Sequence, residues 1–232
     1  MRAVQLILAE GQRLWRAGIP LLFLGLPFLW GMLSRILERP WKQWVLLGGG
    51  VMDLCVMGTL FTGALFLREK SWGITRLWRI TPMSLSHWLT TRLMWIIGLG
   101  ILGAHVLLIS SGTSLSLFQY VQFMASTSVF AAVGALIGMF TATLTQDTVT
   151  YTVIGGSIAG LLSCPPIGDV MLPSWLWGVM GPMAPACRIL MHSLELSQTP
   201  HSWGWIPPTT IILFWMILMI CFTKQRILSH WS

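Results

Sequence analysis

The chain has 232 residues, of which 55% are hydrophobic and 9% are charged, and its mean hydropathy is +0.74. Soluble domains carry about 25% charged residues, so this composition excludes an ordinary soluble domain. Backbone polar groups in lipid must be paired within helices or a closed barrel, and the sequence lacks the strict two-residue alternation of a barrel, so we expect an all-α, polytopic membrane protein. The net charge of +7 is typical of cytoplasmic loops that face anionic lipid, and no nucleic-acid partner is expected.

Residues 1–16 mix apolar and charged side chains. The pattern predicts an N-terminal amphipathic helix lying in the cytoplasmic interface, and the alternative is an ordinary helix extension into water. Arg13 and Arg16 precede an apolar run with no small-residue cleavage site, so no removed signal peptide is expected.

The remainder, residues 17–232, is predicted to form one transmembrane domain of six helices, since a spanning helix needs about 20 mostly apolar residues. An even number of spans puts both termini on the same side. The six predicted spans are Ala17–Leu33, Trp44–Leu67, Trp88–Ile109, Leu117–Leu144, Val149–Leu162 and Ile206–Phe222.

The distribution of cations predicts that both termini are cytoplasmic in the cell membrane. With that orientation, ten of the fourteen Lys and Arg residues lie inside: Arg2, Arg13, Arg16, Arg68, Lys70, Arg76, Arg79, Arg92, Lys224 and Arg226. Four lie outside: Arg35, Arg39, Lys42 and Arg188. The short basic loop from Arg35 to Lys42 is the exception to the bias.

The only concentrated charge in the chain lies in residues 68–84. Glu69 and four cations separate two apolar runs there, so we expect the block to lie in water on the cytoplasmic side. It is the natural surface for a soluble partner.

The segment 163–205, between the fifth and sixth predicted spans, is rich in proline and tryptophan. Proline at this density prevents one continuous helix, so we expect short external helices that enter the outer leaflet or cap the external mouth. Cys164 and Cys187 share this segment, which leaves a disulfide open. Cys55 and Cys221 fall in apolar runs and are expected to be buried.

Motifs for enzymatic chemistry are absent from the sequence. There is neither a Walker A pattern nor a H-E-x-x-H zinc motif, so we expect neither a catalytic residue nor a metal site. The glycines in Gly155–Gly160 favour close helix packing over a catalytic elbow. His87 and His105 are expected to be satisfied polar residues without a catalytic partner.

Asp53 lies inside the second predicted span, where an ionisable side chain is costly and indicates function. It either faces a pathway, pairs across a subunit interface, or stays protonated among packed helices. Asp147 is expected to cap the fifth helix. A group of hydroxyls either bonds to carbonyls of its own helix or lines a path: Ser126, Thr127, Ser128, Thr141, Thr143 and Thr145.

The charged block resembles the cytoplasmic signature of type-2 ATP-binding-cassette (ABC) exporter permeases, which reads loosely Glu-x-x-x-Gly-Thr-x-Glu-x-Leu-x-x-x-Pro-x-Ser. The residues in register are Glu69, Gly73, Leu77, Thr81, Pro82 and Ser84. Ile74 and Arg76 depart from the family pattern. A second match to the family's external stretch comes from Leu172, Pro173, Trp175, Leu176, Pro182 and Pro185.

The resemblance implies that two such permease subunits, identical or related, form a pathway and that two ATP-binding subunits dock on their cytoplasmic faces. Residues 68–86 would be the coupling segment, with these contact residues: Glu69, Trp72, Gly73, Leu77, Trp78 and Pro82. This chain would bind membrane lipid but no cofactor, and ATP and Mg would belong to the partner subunit. The transported substrate would be amphipathic or hydrophobic, such as a drug, an antibiotic or a bacteriocin-type peptide.

Two other functions remain open from the sequence. An ion-coupled secondary transporter would use Asp53 or His105 for protons. A membrane scaffold subunit would transport nothing.

Overall fold

The computed structural model describes residues 2–38, 41–49, 53–73, 84–162, 183–194 and 206–229. These ranges are helical and contain no strand, which confirms the all-α expectation for the described part of the chain. The helices are α1 (Arg2–Arg16), α2 (Ile19–Ile36), α3 (Trp41–Gly48), α4 (Leu54–Ser71), α5 (Leu85–Ser111), α6 (Leu117–Leu144), α7 (Thr148–Leu162), α8 (Met183–Ser193) and α9 (Ile206–Ser229).

Three helices in the described ranges, α2, α5 and α6, are long and apolar enough to cross a membrane. They correspond to the first, third and fourth predicted spans, and the bounds of α6 coincide with the predicted ones. The chain is therefore a membrane protein by the length and composition of its helices. The count of six spans stays a prediction, as does their orientation.

The second predicted span, Trp44–Leu67, overlaps both α3 and α4, and π-helical geometry is found at Gly49, after α3, and at Asp53, before α4. Residues 50–52 lie outside the described ranges. Three consecutive glycines, Gly48–Gly50, occur here, and glycine weakens a regular α-helix. Asp53 itself has π-helical geometry, a feature found at functional sites.

Helices α4 and α6 approach each other closely because glycines line their contact. A Cβ atom added at Gly134 would lie 2.2 Å from the carbonyl oxygen of Cys55, and one at Gly138 would lie 2.2 Å from that of Thr59. Gly58 faces the backbone of α6 in the same way. The spacing Gly134-x-x-x-Gly138 is the small-residue motif that allows such packing in membranes.

The bundle has two distinguishable ends. Helix α1, the C-terminal part of α4 and the first turns of α5 meet at one, which we call the Glu69 end. The N-terminal part of α3, the α5–α6 loop and the last turn of α8 meet at the other, the Lys42 end. Ile227 of α9 packs in the same apolar cluster as Leu14 of α1, so the last turns of α9 lie at the Glu69 end.

Many large apolar side chains are exposed on the helices, as expected for lipid contact. Helices α2 and α9 contribute the largest numbers, with members such as Leu21, Leu29, Phe214 and Ile217. Cys221 of α9 belongs to this exposed set, so its predicted burial is wrong, whereas Cys55 is buried as expected. The difference arises because α9 presents one face outward, and apolarity alone does not separate a lipid-facing residue from a core residue.

Side-chain hydroxyls inside the helices donate hydrogen bonds to backbone carbonyls of their own helix. Ser126, Ser128 and Thr141 donate hydrogen bonds to carbonyls four residues earlier, and Thr143 donates to one three residues earlier. Of the two readings for these hydroxyls, the bonds to their own helix are the ones observed. In the Gly155–Gly160 stretch, Gly155 lies close to Thr141, whereas Cβ atoms added at Gly156 and Gly160 would meet no described residue within 4 Å.

Asp147 caps α7, as predicted. Its carboxylate accepts a hydrogen bond from the Thr150 backbone N–H at 2.7 Å, which lowers the pKa of Asp147 below its ordinary value. A lowered pKa means that the cap stabilises the fold above the ordinary pKa of about 4, and that this contribution is lost as the pH falls through the folded-state value.

We therefore expect Asp147→Ala to lower the melting temperature in detergent at pH 7. Asp147→Asn should melt close to the wild type at pH 7, because asparagine is an equally good cap. The wild type alone should lose its cap on acidification below about pH 4. Equal pH dependence of the wild type and Asp147→Asn would contradict this account.

Candidate functional site

The most concentrated polar site in the described chain is a buried cluster of ion pairs at the Glu69 end. It consists of Glu10 and Arg13 from α1, Glu69 from α4 and Arg92 from α5, and we call it the Glu69 cluster. Two arginines face two glutamates, so the charges balance. Three helices that are far apart in the sequence are joined through this one set of side chains.

Arg92 is at the centre of the cluster and has no exposed surface. Its guanidinium donates two hydrogen bonds to Glu69, from Nη2 to Oε1 at 2.6 Å and from Nη1 to Oε2 at 3.2 Å. It also donates from Nε to Oε1 of Glu10 at 2.9 Å and lies 4.4 Å from the ring centroid of Trp88. Such a bidentate, ring-stacked geometry is specific to arginine and fixes the relative position of both glutamates.

Helix α1 is held against α5 by further contacts. The Trp95 indole N–H donates to the Ile7 carbonyl at 2.8 Å, whereas the bond from Arg13 to Glu69 links α1 to α4. Gly11 lies against Trp95, whose ring would come within 2.3 Å of an added Cβ atom. The prediction of an amphipathic helix over 1–16 is thus confirmed as regards the helix, and its interfacial position stays a prediction.

The expectation that the whole charged block lies in water is wrong for Glu69, whose side chain is only 1% exposed. The reason is that two arginines from other helices compensate its charge inside the protein. Lys70, the next residue, turns toward α6 and donates to the Thr145 carbonyl at 3.1 Å, where that helix ends.

Of the predicted contact residues that follow Glu69, some lie within the described chain and others lie outside it. Trp72 is 65% exposed, and the Arg68 guanidinium lies 4.9 Å from its ring centroid. Gly73 adopts a left-handed conformation, φ 70°, and ends α4 as a glycine C-cap. Leu77, Trp78 and Pro82 lie outside the described residues. The block resumes at Ser84, which caps α5 by accepting from the His87 backbone N–H.

Asp53 lies apart from the Glu69 cluster, directly before α4. Trp30 of α2 is a hydrogen-bond partner of its carboxylate, and the Oδ2 atom has no partner within the described residues. Its predicted role in a pathway or a subunit interface is compatible with this half-buried position and stays a prediction.

His105 is satisfied by two neighbours. Its Nδ1 atom lies 2.9 Å from the Ile101 carbonyl oxygen, and the Tyr120 hydroxyl bonds its Nε2 atom. A neutral imidazole accounts for both bonds, with N–H donating to the carbonyl and Nε2 accepting from Tyr120. This is the satisfied polar histidine that the sequence predicted.

Sequence reasoning missed Arg92, Glu10 and Arg13 as members of the site. A signal for Arg92 was present, because an arginine eight residues into a long apolar helix requires a partner. Glu10 and Arg13 stand three positions apart on α1, which places them on one helix face. Their convergence with Glu69, however, depends on tertiary packing.

No group of His, Cys, Asp and Glu in the described ranges is arranged to hold a metal ion. Cys187 is buried in α8, and its open pairing with Cys164 falls outside the described residues. Comparison with models of known protein families and with curated proteins finds no match to this chain.

Proposed function

We propose that this chain is the membrane-spanning permease subunit of an ABC exporter, driven by a separate ATP-binding subunit. The observation that carries the proposal is the position of the Glu69 cluster, directly before the segment that resembles a coupling segment. Glu69 is three residues from exposed Trp72, and its carboxylate is bound to α1 and α5.

The geometry supports a mechanical role for this arrangement. A partner that moves Trp72 and the residues after it would also pull the end of α4, since Glu69 belongs to the last turn of that helix. The salt bridges of Glu69 would pass the displacement to α1 and α5. Lys70 would pass it to the end of α6. A buried, bidentate ion pair resists separation, and so the helices would move together.

In the proposed orientation, the Glu69 end faces the cytoplasm and both termini lie on that side of the cell membrane. Two permease subunits would form the pathway for an amphipathic or hydrophobic substrate. ATP binding and hydrolysis by the docked partner would shift the pair between inward- and outward-facing states. This chain would supply no catalytic residue.

The docking segment is tested by copurification. We expect the tagged wild-type protein, isolated from its own host membrane, to retain a protein that carries a Walker A motif. Replacing residues 72–80 by a Gly/Ser linker should abolish this retention. The control replaces Thr113–Leu115, in the loop at the opposite end, by Gly-Ser-Gly and should retain the partner. Retention by the 72–80 variant would refute docking at this segment.

The alternative, an ion-coupled secondary transporter, predicts a different energy source for transport. It rests on Asp53, whose Oδ2 atom has no partner within the described chain. Transport by such a protein would be dissipated by an uncoupler and would persist without ATP, whereas the proposed exporter would stop when ATP is removed.

A further inference from the structure

We propose that a polar cleft at the Lys42 end binds the phosphate group of a membrane phospholipid. The cleft has a volume of about 70 Å³ and lies between α3, the α5–α6 loop, the first turn of α6 and the end of α8. A single water needs about 10–15 Å³, so a phosphate group fits here but a whole lipid does not. The polar residues of its lining are Lys42, Gln43, Thr113, Ser114, Gln119 and Ser193.

The charge of the cleft selects an anion. Lys42 is the charged residue of the lining, and it is half-buried with no ion pair within the described part of the chain. Among the described residues, no carboxylate lines the cleft. An ammonium group without a counter-charge attracts an anion, and the polar lining of the cleft offers further donors to it.

The walls of the cleft are fixed by bonds that hold the helices in place. The Gln43 amide donates to the Leu194 carbonyl at 2.8 Å, and the Ser193 hydroxyl donates to the Leu190 carbonyl at 2.7 Å. The Lys42 ammonium and the hydroxyls of Thr113 and Ser114 are then the groups that meet a ligand. Phosphate oxygens accept from ammonium and hydroxyl donors alike.

The surroundings of the cleft favour a lipid over a free phosphate ion. Trp41, beside Lys42, is 67% exposed, and Trp44 is also exposed, which is typical of side chains at the level of lipid headgroups. Leu117 and Phe118, exposed on the first turn of α6 beside Gln119, offer apolar surface to acyl chains. A phospholipid has both a headgroup to lie beside the tryptophans and acyl chains to cover the apolar surface. A free phosphate ion has no acyl chains.

The cleft also accounts for the basic loop that opposed the cation bias. Arg35 donates to the Ile109 carbonyl at 3.3 Å, near the C-terminal end of α5. A positive charge at this end interacts favourably with the helix dipole. Lys42 has no such structural bond from its side chain among the described residues, so a ligand explains its presence better than the fold does.

The test is to count bound lipids on the purified full-length chain by native mass spectrometry. Phosphatidylglycerol is titrated into detergent micelles, with inorganic phosphate as a competitor. We expect Lys42→Gln and Ser114→Asp each to weaken retention of one lipid by about tenfold, since each removes or opposes a charge-assisted bond. Lys224→Gln, which removes one exposed charge at the Glu69 end, should bind as the wild type does.

Lipid retention that depends on Lys42 and is not displaced by millimolar phosphate supports the proposal. Binding of phosphate at the same site with equal affinity would overturn the assignment to a lipid. Retention by Lys42→Gln and Ser114→Asp equal to that of the wild type would overturn the site itself.

Discussion

Replacing Arg92 by methionine is expected to lower the free energy of unfolding by about 3–5 kcal/mol. The physical reason is that Glu69 is buried and would keep only Arg13 as a counter-charge. Glu10 would lose its bond to the Arg92 Nε atom as well. The measurement is unfolding in mixed detergent micelles, followed by the helical signal in circular dichroism.

The matched control for Arg92→Met is Arg68→Met. Arg68 precedes Glu69 in the same block, but it is exposed and stacks on Trp72, so its loss should cost less than about 1 kcal/mol. The double variant Arg92→Met with Glu69→Gln should unfold more easily than the wild type by less than the sum of the two single effects. Equal stability of Arg92→Met and Arg68→Met would show that the Glu69 cluster does not hold the helices together.

Adding one methyl group at Gly134 is expected to destabilise the bundle by about 1–3 kcal/mol. The new Cβ atom would meet the Cys55 carbonyl oxygen at 2.2 Å, and neither backbone can yield without separating α4 from α6. We expect Gly134→Ala to melt at a lower temperature in detergent than the wild type.

Gly98 of α5 offers the control, since no atom of the described residues lies within 4 Å of a Cβ atom added there. Gly98→Ala should be neutral or more stable by about 0.5–1 kcal/mol, because alanine favours a helix over glycine. If Gly134→Ala and Gly98→Ala change the melting temperature in the same direction, close packing of α4 and α6 at Gly134 is refuted.

Much of the helical framework was predictable because the relevant signals are local. Helix α6 shows both ends in the sequence: Ser116 and Gln119 form a capping box, and Thr145 to Asp147 interrupt the apolar run. The Asp147 cap was predicted for the same reason, since a cap concerns residues only three positions apart.

The Glu69 cluster was not predictable in the same way. Glu69 bonds Arg92, 23 positions away, and Arg13, 56 positions away. The composition of a short stretch of sequence does not indicate which distant residues will pair. The sequence therefore placed all of the block in water. The close contact of α4 and α6 had a usable signal in the spacing of Gly134 and Gly138, although a glycine elsewhere, such as Gly156, has no close neighbour among the described residues.

The departures from the family pattern, Ile74 and Arg76, fall outside the described residues, whereas Glu69 and Gly73 lie inside them. The resemblance implies that Glu69 contacts the partner subunit, but its side chain is buried within this chain. We propose that Glu69 anchors the segment from within and that exposed residues such as Trp72 contact the partner. Variants of Glu69 should thus reduce the stability of the chain more than its binding to the partner. Variants of Trp72 should reduce binding to the partner more than stability.

The central claim is that an ATP-binding subunit docks beside Trp72, and photo-cross-linking in the native membrane tests it most directly. A benzophenone amino acid is placed at the position of Trp72, which is 65% exposed, or at that of Leu117, which is 81% exposed at the opposite end. The account predicts a cross-link from position 72, but not from 117, to a protein that mass spectrometry identifies by a Walker A motif. Absence of that product at position 72, or its equal yield at position 117, would contradict the claim.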